Sequence, residues 1–160
     1  MSSVYTNFRE DVYSWIREKY QNYFQSNSLG PKINLYLSRN HIKPGSRSVL
    51  NESEILPILR GEGFVVLKGN ESLAEIYRLF SLASLVVGPH GSLFANTIFC
   101  SSACRVIEFC PKNRIDKSFL RKQKETVFYE QVTLDADENY NISIDSVWLS
   151  KIIGMANLIK

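Results

Sequence analysis

The chain has 160 residues, of which 44% are hydrophobic and 22% charged, and its formal net charge is +3. That length builds one domain with a sizeable core but not two ordinary ones, and the balance excludes a disordered or fibrous chain. The mild positive charge suits an anionic ligand and lacks the dense basic stripe of a nucleic-acid binder. The basic run Arg121-Lys122-Gln123-Lys124 reads as a solvated helix face. No apolar signal core opens the sequence and no stretch of it has the length and hydrophobicity of a membrane span. Cys100, Cys104 and Cys110 sit in or beside apolar segments at a spacing that matches no common zinc pattern, so buried free thiols and a reducing compartment are expected.

Asn7 to Phe24 has helical periodicity, with Phe8, Val12, Trp15, Ile16, Lys19, Tyr20 and Tyr23 near one stripe and Arg9, Glu10, Arg17 and Glu18 near the other. The Ser26-to-Pro31 segment stops it. Ile33 to Leu37 reads as a strand ending in Ser38-Arg39, and Pro44-Gly45 marks the basic loop beyond. Asn51 is the expected cap of a helix that starts Glu52-Ser53-Glu54, where Glu52 also takes a capping role, and ends at Gly61. Phe64 to Leu67 is a second strand. Ser72 to Ala83 is an amphipathic helix with Leu73, Ile76, Leu79, Phe80 and Ala83 inward. Leu85 to Val87 is a third strand, Ser92 to Phe99 a helix, and Arg105 to Phe109 a fourth strand. Lys117 to Lys124 reads as helix, Phe128 to Leu134 as a fifth strand, and Asp135 to Asn139 as a turn. Ser146 to Leu158 closes the chain as a helix with Val147, Ile152, Ile153 and Met155 as core contacts.

Strands alternating with helices at this spacing predict an α/β fold: a Rossmann-like, doubly wound, mainly parallel sheet of about five strands. Residues 1–30 are expected to be a lead-in helix and residues 31–160 a single lobe. In such sheets ligands bind outside the carboxyl ends of the strands, at the switch in winding direction. Three polar strand ends therefore compete for one crevice: Ser38-Arg39, His90-Gly91 and Glu108.

The junction Val86-Val87-Gly88-Pro89-His90-Gly91-Ser92 is the sharpest local signal. Buried-strand residues run straight into a turn where Gly88 and Gly91 allow close backbone approach and Pro89 fixes one φ. The following helix start presents free N–H groups to an anion. His90 is the side chain there that can hydrogen-bond a phosphate or carry a proton near neutral pH. Ser92 lacks the surroundings of a hydrolase nucleophile.

Tyr36-Leu37-Ser38-Arg39, Arg47-Ser48-Val49-Leu50-Asn51-Glu52-Ser53-Glu54-Ile55, the Leu73-to-Ala83 helix, the Gly88-to-Phe99 segment and Arg105-Val106-Ile107-Glu108-Phe109 form an ordered set. That set resembles the family-61 glycosyltransferases over about Ile33 to Ile153. The departures are Ser92 and Leu93 in place of a small Ala-Gly pair, Ala95 in place of Thr or Ser, and Glu75 without a following Gln.

The resemblance implies the carboxyl-terminal half of a two-lobed GT-B enzyme, which moves a sugar from a nucleotide diphosphate to an acceptor hydroxyl with inversion. Implied partners are a nucleotide sugar, a glycan or protein acceptor and a separate amino-terminal lobe. The donor sugar is a substrate, and neither a metal nor a resident cofactor is implied. His90 is the implied catalytic residue, donating to the diphosphate or its leaving oxygen. Arg39 and Arg47 are candidate phosphate clamps. Gly88, Gly91 and Ser92 belong to the binding turn, Asn96 braces it, and Glu108 is placed to accept from ribose hydroxyls. Cytoplasmic action is expected, or a Golgi lumen for a fragment of a eukaryotic member. A non-catalytic nucleotide- or phosphate-binding module, or a truncated remnant, is the reading from another class.

Overall fold

In a computed structural model the described residues are 10–24, 30–40, 47–115 and 127–158. They form, in order, α1 (Glu10–Phe24), β1 (Ile33–Leu37), α2 (Glu52–Gly61), β2 (Phe64–Leu67), α3 (Leu73–Leu82), β3 (Ala83–Pro89), a 3-10 helix (Ser92–Phe99), β4 (Arg105–Pro111), β5 (Phe128–Leu134) and α4 (Ser146–Leu158). The expected helix at Lys117 to Lys124 lies outside the described residues.

All five strands are parallel and lie in the order β2-β1-β3-β4-β5. Successive side chains of a strand face opposite ways, and the two faces carry two separate cores. Leu35, Leu37, Val86 and Val106 pack with Tyr77 and Phe80 of α3, Phe94 and Phe99 of the 3-10 helix, and Tyr13, Ile16, Tyr20 and Phe24 of α1. Tyr36, Leu85, Val87, Ile107 and Phe109 pack on the other face with Ile55 and Leu59 of α2 and Leu149 and Ile153 of α4. Helices therefore cover both faces, the doubly wound α/β arrangement expected from the alternation of elements.

Several local expectations change. The stripe of α1 is rotated: Tyr13 and Phe24 turn inward while Trp15 and Tyr23 are exposed. The cause is an aromatic cluster in which Tyr20 meets Phe99 at 4.9 Å and Phe24 meets Tyr77 at 5.0 Å between ring centroids. Arg17 is drawn in with it, its Nε donating to the Ile98 carbonyl at 2.9 Å. In α3, Leu73 is exposed and Tyr77 takes the core position. In α4, Val147 and Met155 are exposed, and Leu149 and Ile153 supply the buried contacts.

Asn51 does not cap α2 with its side chain. Its amide exchanges two hydrogen bonds with the backbone of Ile144, at 2.8 and 3.0 Å, and so ties the start of α2 to the segment before α4. Glu52 is buried and accepts from the Tyr36 hydroxyl at 3.0 Å rather than capping. Burial, the Glu52 charge and this bond hold the Tyr36 hydroxyl well above the usual tyrosine range. Ser72, at the start of α3, does cap, accepting from the Glu75 N–H at 3.3 Å.

Candidate functional site

Strands β1 and β3 are neighbours, and the chain leaves them in opposite directions: from β1 toward β2, from β3 toward β4. This is the topological switch point, where parallel sheets of this strand order open a crevice at the carboxyl ends. The two strands approach closely there. A β-carbon on Gly88 would lie 2.7 Å from the Leu37 carbonyl oxygen and 3.0 Å from its β-carbon, so this glycine serves strand packing. The shallow depression beyond is lined by Leu37, Ser38, Arg39, Pro89, Gly91, Ser92 and Leu93. Ser38, Arg39, Gly91 and Ser92 thus meet in this lining, whereas His90, Glu108 and Arg47 are not part of it.

Two buried polar atoms in this lining have no hydrogen-bond partner among the described residues: Ser38 Oγ and Arg39 Nε. Leaving such groups unsatisfied costs about 1–3 kcal/mol each, more when charged. The Arg39 side chain lies against the bare backbone of Gly91. Burial, followed by repulsion from Arg47 and Arg114, lowers the Arg39 pKa, although a guanidinium remains charged in proteins. Arg39 and Arg47 lie in the connection from β1 to α2, and Arg114 in the turn after β4. Arg47 is half-buried and left-handed at φ 57°, with its backbone N–H donating to the Asn139 carbonyl.

His90 and Glu108 lie beside the crevice, on the sheet face covered by the 3-10 helix. Gly88 is paired in register with Glu108, and the His90 N–H donates to the Phe109 carbonyl at 2.8 Å. This brings His90 Nδ1 to 2.7 Å from Glu108 Oε1, with both residues buried. Gln131, the register partner of Glu108 on β5, donates to Oε2 at 2.8 Å. A carboxylate against Nδ1 fixes that nitrogen as the donor, so proton exchange with anything else runs through Nε2. Glu108 is fully buried with both oxygens engaged, and neither it nor His90 lines the depression.

The helix after the turn is 3-10 over its whole length, with Gly91 in extended backbone before it. Asn96 Nδ2 donates to the Leu93 carbonyl and Thr97 Oγ1 to the Phe94 carbonyl, each three residues back. These local bonds favour the tighter i to i+3 winding. Asn96 bonds within this helix rather than to the turn before it, and its amide reaches the depression only through the Leu93 carbonyl.

Cys100, Cys104 and Cys110 are free and buried, as their apolar setting predicts. His90, Glu108 and Cys110 each offer a ligand atom within 4.8 Å of the others. The 2.7 Å between Nδ1 and Oε1 is hydrogen-bond spacing, whereas two ligands at about 2.0–2.2 Å from a tetrahedral zinc stand ~3.4 Å apart. The trio fits a hydrogen-bonded cluster better than a metal centre. A larger open hollow of about 690 Å³ lies beyond β5, between Leu50, Leu134 and Trp148. Its rim of Asp135, Asp137 and Asp145 has the wrong sign for an anion. No described helix is long and apolar enough to cross a membrane.

One residue carries more of this depression than the sequence assigns it: Ser38, visible in sequence only as part of a polar strand end. Residues 2–107 match the sequence model of a family described as Glycosyltransferase 61. The match takes in the lead-in helix, Arg39, Arg47, His90 and Asn96, and ends inside β4 one residue before Glu108. No curated protein matches the chain.

Proposed function

The chain belongs to the glycosyltransferase 61 family, and from that premise we propose that it is the donor-binding lobe of an inverting glycosyltransferase of GT-B architecture, holding a nucleotide diphosphate sugar at the β1–β3 crevice. The observation that carries this reading is a pair of buried polar atoms at the switch point, Ser38 Oγ and Arg39 Nε, that have no hydrogen-bond partner among the described residues. A diphosphate supplies the acceptor oxygens both lack, and the guanidinium offers a planar fork matched to them.

In the transfer step the acceptor hydroxyl oxygen forms a bond to the anomeric carbon while the bond from that carbon to the diphosphate oxygen breaks. The departing electron pair adds negative charge to the diphosphate. Arg39 and Arg47 stabilise that charge, and His90, oriented by Glu108, donates from Nε2 to the phosphate or leaving oxygen. The acceptor's proton passes to a general base. Glu108, committed to His90 and Gln131, is unsuited to that task, so the base is assigned to a separate amino-terminal lobe, which also supplies the glycan or protein acceptor site. Three buried free thiols favour a cytoplasmic setting.

Titrating UDP into the chain and following its amide resonances tests this. Binding with a Kd on the order of 0.1–1 mM is expected for half a cleft. Shifts should centre on residues 88–96 and weaken in His90→Ala. No shifts at millimolar UDP would overturn the donor-lobe reading. Turnover by this chain alone would show that the base and acceptor site lie within it. Binding without turnover even beside a complementing lobe would instead identify a non-catalytic nucleotide-binding module.

A further inference from the structure

We propose that Arg114 is a third cation of the β1–β3 crevice, and that the Asp137-to-Asn141 turn is the device that presents both Arg114 and Arg47 to a diphosphate. This rests on the donor-lobe reading and adds to it a residue and a positioning element from the far side of the sheet.

The turn touches both cation-bearing loops. Toward the β1 exit, the Asn139 carbonyl accepts from the Arg47 N–H at 3.1 Å, and Asn141 Oδ1 accepts from the Ser48 N–H at 2.9 Å. Toward the β4 exit, Asn113 Nδ2 donates to the Asp137 carbonyl at 3.2 Å, and the Arg114 guanidinium stands 5.1 Å from the centroid of the Tyr140 ring. Arg114 itself leaves β4 in a tight turn, its N–H donating to the Pro111 carbonyl. The two loops share no sequence neighbourhood, and one five-residue turn links them.

That turn is internally fixed. Asp137 Oδ1 accepts from the backbone N–H groups of Asn139 and Asn141, each at 2.8 Å, and Oδ2 accepts from Asn141 Nδ2 at 2.8 Å. Tyr140 is held left-handed at φ 63°, a conformation that asparagine and glycine adopt far more readily than tyrosine. An aromatic ring at such a position has a use that offsets its backbone cost: it gives the guanidinium a face to stack on. Arg39 and Arg47 follow β1 and Arg114 follows β4, the two strands that flank β3, and the lowering of the Arg39 pKa by burial and then by Arg47 and Arg114 agrees with that placement. The independent sign of a ligand is the buried Nε of Arg39 in that crevice, which has no hydrogen-bond partner among the described residues.

The ligand class follows from charge. Three cations gain more from a diphosphate than from a monophosphate, because Coulomb attraction scales with ligand charge. The full chain should therefore be titrated with inorganic pyrophosphate and with orthophosphate by calorimetry. Arg114→Ala is expected to weaken pyrophosphate by about tenfold, the range of a charged hydrogen bond, and orthophosphate by less. Tyr140→Asn keeps the left-handed turn and removes the ring, so about a threefold loss is expected. Lys112→Ala removes a neighbouring charge that is paired with Asp135, and should leave affinity unchanged. Thermal unfolding of each variant checks that the fold is intact.

Pyrophosphate affinity preserved in Arg114→Ala, but lost in Arg39→Ala, would overturn the role of Arg114 and leave the donor-lobe reading standing. An equal loss in Lys112→Ala would show only bulk charge and overturn it as well. Wild-type affinity in Tyr140→Asn would overturn the presenting role of the turn. No binding of pyrophosphate by the unaltered chain would remove both this proposal and the reading beneath it.

Discussion

The Arg39 guanidinium occupies the space a β-carbon on Gly91 would need: Nη1 lies 2.5 Å from that position. Gly91 is extended, at φ −178°, so its backbone does not require glycine. The missing side chain is needed by the arginine.

Gly91→Ala therefore separates binding from folding. The obstructing atom is the far end of a flexible side chain, so stability should change by no more than about 1 kcal/mol. Affinity for pyrophosphate should drop by about tenfold as the guanidinium is pushed off the turn. Calorimetry beside a urea melt reads both, and unaltered affinity would show that Arg39 does not act from this position.

Gly88→Ala should behave in the opposite way. Its added carbon meets the backbone of Leu37 on the adjoining strand, and backbone within a sheet cannot step aside cheaply. A loss of about 1–3 kcal/mol is expected, the range for forced overpacking. A urea midpoint equal to that of the parent chain would contradict the close approach of β1 and β3.

Removing the carboxylate of Glu108 leaves behind one buried partner, His90, and one half-buried partner, Gln131. Glu108→Ala is expected to cost about 2–3 kcal/mol for the groups left unsatisfied, and Glu108→Gln less, since it still accepts one bond. If Glu108→Ala unfolds at the parent's urea concentration, the cluster is not holding β3, β4 and β5 in register.

Acid should loosen the Asp137 turn late. Hydrogen bonds from the Asn141 side chain and then its backbone hold this carboxyl below the usual range. A depressed folded pKa contributes stability that is fully present above the unfolded value of about 3.9. That stability is lost as pH falls through the lower folded value. The melting-temperature gap between the parent and Asp137→Asn should stay constant above about pH 5 and close as pH drops below ~4. Parallel curves down to pH 2 would refute the shift.

The strands and their order along the chain are legible in sequence because β-branched and leucine runs such as Leu85-Val86-Val87 and Arg105-Val106-Ile107 leave few alternatives. Arg39 and His90 are legible as candidate site residues for the same reason: each lies within two residues of a strand end that is easily read. The 3-10 winding is not, since Ser92-to-Phe99 has helical composition and only the side-chain bonds of Asn96 and Thr97 tighten it. Nor is the inward face of α1, where apolar and aromatic residues lie on several sides and long-range contacts with Tyr77 and Phe99 choose among them. Glu108 reads as an open strand end because nothing local reveals Gln131 beside it on β5. Arg114 escapes because Tyr140, which gives it a fixed place, is distant in sequence.

Arg39 and Arg47 follow β1 while Arg114 follows β4, and local structure alone does not bring these two strand exits together. A chain with β1 and β3 unpaired, or with β4 not yet docked, has the same arginines and no anion site. Pyrophosphate should therefore bind the assembled sheet and ignore the unfolded chain. Such a ligand shifts the folding equilibrium by mass action, by about 1.4 kcal/mol at tenfold excess over its Kd. The anion thereby becomes a reporter of completed assembly, distinguishing the native sheet from any partly ordered form with the same helix content.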